Sequence, residues 1–234
     1  METENEVLTD PAQLPAESGA LPFVLSGVAA RALGCLIEKE FSTPDVYPLT
    51  LNALTNACNQ RNNREPVMSL SEAEVSEGLD ELRVARLAVV FAGADSRVPK
   101  YKHKLEQEFA LDGVARALLC ELLLRGPQTT AALRSNSERL HRQPSVSEVE
   151  AVLEALAHRA SGALVRKLPR QIGQKEARWV QLLTGVPAAQ SEAEVVVRPV
   201  PSDLERRVQE LEAVVARLSA DLADLRTELG VSRP

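Results

Sequence analysis

Between positions 59 and 64 the chain reads Asn59-Gln60-Arg61-Asn62-Asn63-Arg64, four amides and two guanidinium groups in six residues. Amides and arginines are the side chains that pair bidentately with the edges of adenine and guanine, so this run is a candidate base-reading loop. The same residue types also satisfy loop backbone and cap helix ends, and the sequence leaves both uses open. A second basic set falls in two strand-like stretches. Arg97, Lys100, Lys102, His103 and Lys104 lie in one; Arg166, Lys167, Arg170, Lys175 and Arg178 lie in the other. Alternation along a strand places Lys100, Lys102 and Lys104 on one face. Such a face suits phosphate contacts, and it equally suits plain solvation.

Residues with the spacing of an enzyme site are not evident. No phosphate-cradling GxxxxGKS/T, no GxGxxG and no GxSxG occurs. His103, His141 and His158 lie far apart with no ligand spacing, so neither a metal site nor a cofactor is expected. Cys35, Cys58 and Cys120 are an odd count without a CxxC pair, each in an apolar helical context. They read as reduced, buried thiols of a cytoplasmic protein. Glu38-Lys39-Glu40 is a charge run at a helix end and reads as a solvated face with local pairing. No apolar run approaches the roughly 20 residues that span a bilayer, and no secretory leader is expected.

The elements that must carry these residues occur twice. Ala30-Arg31-Ala32-Leu33-Gly34-Cys35 returns 85 residues later as Ala115-Arg116-Ala117-Leu118-Leu119-Cys120, five of six positions identical. In the first copy a helix is expected over about 28–41, a second from a Thr50 cap to about Asn59, and a third from the capping box Ser71/Glu74 to about Ala85. Strands are expected over 87–91 and 98–105. The second copy repeats the order: a helix over 112–125 stopped by Gly126-Pro127, one capped by Thr129 or Thr130, and one opened by the capping box Ser145/Glu148. A hairpin over 164–168 and 177–183 follows. Val149, Leu153 and Leu156 repeat Val75, Leu79 and Leu82 at a constant offset of 74. Three helices and a hairpin, twice, predict a mainly α protein with small β-hairpins (α+β) made of tandem winged helix-turn-helix domains, 28–105 and 106–187.

Residues 1–27, with five acids and no base, read as a disordered acidic tail. The first domain carries ten acids and ten bases, and the second eleven bases against nine acids, so the net charge of −6 belongs to the tails. A linker over 188–201 leads to a helix over 202–230 with unbroken heptads. Leu204, Leu211, Leu218 and Leu225 take position d; Val208, Val215, Leu222 and Leu229 take position a. Valine at a with leucine at d predicts a parallel two-stranded coil and hence a homodimer.

Leu33-Gly34-Cys35-Leu36-Ile37-Glu38-Lys39-Glu40, the stretch from Thr43-Pro44-Asp45 to Asn52-Ala53-Leu54, and the stretch from Ala57-Cys58-Asn59 to Pro66-Val67 resemble the YceH-like family of bacterial proteins. Ser96 to His103, Leu122 to Thr129, Leu168-Pro169-Arg170 and Glu176-Ala177-Arg178 add to the likeness, which covers about 28–183. The chain departs most from that pattern over 135–144. The resemblance implies two winged-helix domains and a C-terminal coil, and it brings no catalytic residues.

The winged-helix fold points to duplex DNA and to a transcriptional regulator, by fold analogy. Yet the third helices are acidic: Glu72, Glu74, Glu77, Asp80 and Glu81 in one, Glu148, Glu150 and Glu154 in the other. Major-groove insertion of such helices is disfavoured by phosphate repulsion. The contacts are therefore expected from the 59–64 loop and the basic hairpins. The alternative is a non-enzymatic adaptor that binds another protein.

Overall fold

The computed structural model describes residues 21–91, 98–170 and 176–185, together with Val215 and Arg217. These residues form a mixed α+β structure in which helices predominate and the sheets are small and antiparallel. Met1–Gln190 is one compact unit and Ser191–Pro234 a second. The expected linker and nearly all of the expected coil, including Leu204, Val208, Leu211, Leu218, Leu222, Leu225 and Leu229, lie outside the described residues. So do residues 1–20 of the expected tail. Leu25, inside that tail, is buried, and its N–H donates to the Leu183 carbonyl at 2.7 Å.

The first repeat runs α1 (Gly27–Ser42), a short 3-10 turn, β1 (Leu49–Thr50), α2 (Leu51–Cys58), α3 (Glu72–Val84), β2 (Ala88–Phe91) and β3 (Lys100–His103). Each helix start is set by a local cap. Ser26 Oγ accepts from Ala29 N and Thr50 Oγ1 from Ala53 N, while Ser71 and Glu74 form a reciprocal capping box. The sheet order is β1-β3-β2, with Leu49 opposite Tyr101 and Val90 opposite the same tyrosine.

A five-residue helix, α4 (Leu105–Phe109), joins the repeats where the sequence suggested only the end of a strand. The second repeat then runs α5 (Gly113–Arg125), α6 (Thr130–Ser137), α7 (Val146–Ala157), β4 (Val165–Lys167) and β5 (Trp179–Gln181). Asp112 and Thr129 cap α5 and α6, and Ser145 with Glu148 rebuilds the capping box on α7. Gln128, immediately before the α6 cap, exchanges two backbone hydrogen bonds with Trp179. It occupies the place that Leu49 holds against Tyr101 in the first repeat.

The two halves pack through the very helices that carry the repeated hexapeptide, α1 against α5. The single position at which the hexapeptide differs lies at this contact. A Cβ added to Gly34 would sit 2.8 Å from Leu124 Cδ2 and 3.1 Å from Leu123 Cβ. The Cys120 thiol donates to the Gly34 carbonyl at 3.3 Å. Leu119, its counterpart in α5, is buried among apolar side chains instead. One continuous core therefore serves both repeats, from Leu33, Leu36 and Ile37 through Leu118 and Leu122 to Trp179.

Candidate nucleic-acid interface

The Asn59–Arg64 loop begins at the C-terminus of α2 and runs back across α1. Asn59 Nδ2 donates to the Leu70 carbonyl at 2.8 Å, and its Oδ1 accepts from Leu70 N at 2.7 Å. Both polar ends of that amide are used inside the fold. Arg64 is buried and faces inward: its guanidinium donates to the carbonyls of Ala57 and Asn63 and to both oxygens of Glu38, at 2.6 and 3.3 Å. Gln60 Oε1 accepts from Arg64 Nη2 at 3.1 Å and from Lys39 Nζ at 3.4 Å. Arg61, Asn62 and Asn63 remain exposed, and Asn63 takes the left-handed conformation with φ 57°. Of the six candidate base readers, three project outward. Asn59 and Arg64 are spent on structure and Gln60 largely so.

What the loop does instead is tie the repeats together. Glu65 N, just beyond it, donates to the Leu124 carbonyl at the end of α5 at 2.8 Å. Glu38, expected on a solvated face, is only 3% exposed, because α5 covers that side of α1. Its Oε1 also receives Arg139 Nη2 at 3.0 Å, and the same nitrogen reaches Glu121 Oε1 at 2.8 Å. Arg64, Glu38, Arg139 and Glu121 thus form a charge chain across the joint. Burial pushes the Glu38 carboxyl up, but the hydrogen bond and charge of Arg64, with Lys39 and Arg139, pull it below the usual carboxylate range. Burial wins at Glu121, whose carboxyl is held above that range despite Arg139 and Arg125. Its Oε2 has no hydrogen-bond partner among the described residues.

A second tie joins β3 to both long helices. Glu40 Oε2 lies 3.0 Å from His103 Nε2 and 2.6 Å from Arg116 Nη1, and the Arg116 guanidinium stacks 5.3 Å from the Phe41 ring centroid. His103 is buried here, so it leaves the set of exposed hairpin bases. Lys102 is half-buried and lies over the Phe91 ring at 5.6 Å. Lys100 and Lys104 are half-buried with no side-chain partner among the described residues. Arg97 lies outside the described residues.

On the second hairpin Lys167 is committed to the fold. Its ammonium pairs with Glu150 and with Glu154 at 3.3 Å and sits 5.1 Å above the Trp179 ring. Arg166, Arg170 and Arg178 are exposed and form no ion pair among the described residues. Lys175 lies outside the described residues. The carboxylates of α3 and α7 are mostly engaged: Glu72 accepts from Asn52, Glu74 and Glu148 close their capping boxes, Asp80 pairs with Arg83, and Glu81 accepts from Ser26 N. Glu77 stands free.

No motif or spacing in the sequence points to Arg139. It sits in the 135–144 segment, where Leu140 and Gln143 are buried and Ser137 Oγ donates to the Leu133 carbonyl at 2.6 Å. Its only cue in the sequence is a basic residue beside a leucine, too common a pattern to single out. Among the described residues no cluster of His, Cys, Asp or Glu is arranged to hold a metal ion. Among them, too, no helix is long and apolar enough to cross a membrane.

An α+β chain of two like halves, joined by a buried charge chain and carrying cationic hairpins, is the class that these features define. Residues 25–174 match the family described as "Protein of unknown function, DUF480", which is more than half of the 234 residues. A UPF0502 protein of Opitutus terrae is 49% identical over 204 residues, covering 87% of this chain and 86% of that protein. A UPF0502 protein of Citrifermentans bemidjiense is 51% identical over 174 residues, 72% of this chain and 80% of the relative. One from Vibrio vulnificus is 46% identical over 210 residues, covering 87% and 96%. The chain belongs to this bacterial family.

Proposed function

We propose that the protein is a non-enzymatic, dimeric, cytoplasmic binder of duplex DNA, built from two winged helix-turn-helix modules. The observation that carries this reading is the distribution of unpaired charge. The carboxylates of α3 and α7 are largely consumed by local hydrogen bonds, whereas Lys100, Lys104, Arg166, Arg170 and Arg178 on or beside the hairpins have no counter-ion among the described residues. A surface with spare cations at its hairpins and spent acids on its helices meets phosphates at the hairpins. The shared sheet closure, Leu49 on Tyr101 and Gln128 on Trp179, supports the winged-helix assignment for both halves. Val215, helical and 62% exposed in the single chain, supports the coil, because position a is left for a partner helix to cover.

Fluorescence anisotropy of a labelled 30-base-pair duplex titrated with the full chain tests the reading. Saturable binding at about 50 mM salt is expected. A flat titration contradicts it. The adaptor reading draws on one observation, the outer face of α3, where Val84 is 86% exposed beside the acids Glu77 and Asp80. That reading expects no DNA binding, and loss of partner capture on Val84→Asp.

A further inference from the structure

The register of the second hairpin sorts its basic residues onto two faces. Lys167 stands opposite Trp179 and Arg166 opposite Val180. Trp179 is fully buried and its indole N–H donates to Thr130 Oγ1 at 3.1 Å, which turns that face toward α6. Lys167 shares the face and is paired with α7. Strand alternation puts Arg166 on the other face. The Leu168 N–H donates to the Arg178 carbonyl at 2.7 Å, so Arg178 lies diagonally across from Arg166 on the same face. Leu168 and Val180 fill the space between them and are buried. Arg170 follows two residues beyond Leu168, exposed and without an ion pair among the described residues. The described acid close by in sequence, Glu176, forms no ion pair with any of the three.

We infer that this arginine face of the β4–β5 hairpin holds the sugar–phosphate backbone of duplex DNA, and that the protein binds duplexes with little preference for base sequence. The inference rests on the DNA-binding reading above and narrows it. Three features select backbone phosphate. Guanidinium groups with no counter-ion among the described residues match a ligand of regularly repeated negative charge, and each can hold a phosphate bidentately. An interface for an acidic protein needs an apolar or aromatic anchor at its centre. The exposed large hydrophobics of the described residues lie elsewhere, at Val84, Phe91 and Val98 among others, and Leu168 and Val180 are covered. Base reading, finally, has lost its best donors, since Asn59 and Arg64 are locked in the joint. Phosphate contacts without base contacts fix position and carry no sequence information.

The test is anisotropy with the full-length protein and two labelled 30-base-pair duplexes of unrelated sequence, over a series of salt concentrations. The expected result is affinities for the two duplexes within about threefold. For the double variant Arg166→Ala/Arg178→Ala, the log-log salt slope should shallow by about two units, near one per lost phosphate contact. Arg170→Ala should take off about one more. Arg166→Lys/Arg178→Lys, with the charges kept, should hold the slope, and unchanged thermal melting of the Ala variant should show that the fold survives. Arg83→Ala, which removes a base on α3 already paired with Asp80, should leave the slope within half a unit. If the parent binds DNA but the Arg166/Arg178 variant binds as tightly and as steeply, the inference falls and the DNA reading stands. A preference above about thirtyfold between the duplexes overturns the backbone-only claim in the same way. If the parent binds neither duplex but binds poly-glutamate, both fall.

Discussion

Glu38 and Glu121 share the Arg139 guanidinium, yet burial and pairing leave them displaced in opposite directions. Glu38 titrates below its unfolded value, near 4.3. Its contribution is present above that value and is lost as pH falls through the lower folded one. Glu121 titrates above its unfolded value, so its contribution is full in acid and is lost as pH rises through the folded value. Glu38→Gln leaves Arg64 and Arg139 short of a buried counter-charge and should cost about 3 kcal/mol at pH 7, less at pH 4. Glu121→Gln removes a poorly solvated charge and should change stability by no more than about 1 kcal/mol at pH 7. Urea unfolding of both variants at the two pH values checks this. Equal losses at pH 7 would mean that the charge chain does not divide in this way. None of it was legible in Glu38-Lys39-Glu40, because a charge run looks the same whether water or a second domain covers it. The role of Arg64 is hidden in the sequence for a related reason. Polar loop residues announce hydrogen bonding without saying to what, and here the partners are a carboxylate 26 positions away and nearby carbonyls.

Helices and strands were far more legible, since their signals are local. Thr50, Ser71, Thr129 and Ser145 all cap where their types and spacings implied, and the inward stripe Val75, Leu79, Leu82 recurs as Val149, Leu153, Leu156. Helix α4 is not legible in the sequence because five residues hold too little periodicity to separate a helix from the end of a strand. Ser145→Ala should lower stability by about 1 kcal/mol through loss of the capping box, read as a shift in urea midpoint. The joint between α1 and α5 makes a sharper demand. In an isolated helix Gly34→Ala would gain about 1 kcal/mol. Here the new methyl meets Leu123 Cβ at 3.1 Å, an atom anchored to its own backbone, and the end of Leu124 at 2.8 Å. Gly34→Ala should instead destabilise by about 1–3 kcal/mol, and Gly34→Leu, which would complete the hexapeptide repeat, by more. A stabilised Gly34→Ala protein would show that the helices can move apart freely. The near-identity of the two copies advertised a repeat. Its one departure marked where the copies meet, which only the packing explains.

For the whole molecule the order of three helices and a hairpin was readable twice because their local signals recur in sequence, whereas the way the halves share one core depends on pairs such as Glu38–Arg139 and Glu40–Arg116, far apart along the chain. The same holds for the free surface. Lys167 and Arg166 are neighbours in sequence, and only the register shows that one is spent on Glu150 while the other faces outward. Dimerisation belongs to this scale. Light scattering of the full chain should give twice the 25.4 kDa chain mass, and Leu211→Asp/Leu218→Asp should return it to one chain. A variant that stays dimeric would move the interface out of the heptads. The decisive quantity is the salt dependence of duplex binding by the intact protein. A molecule that grips phosphate with Arg166, Arg170 and Arg178 should lose affinity linearly on a log-log plot, with a slope of about −3 or steeper. Absence of binding near 50 mM salt, or binding with a slope close to zero, would contradict a DNA-binding role.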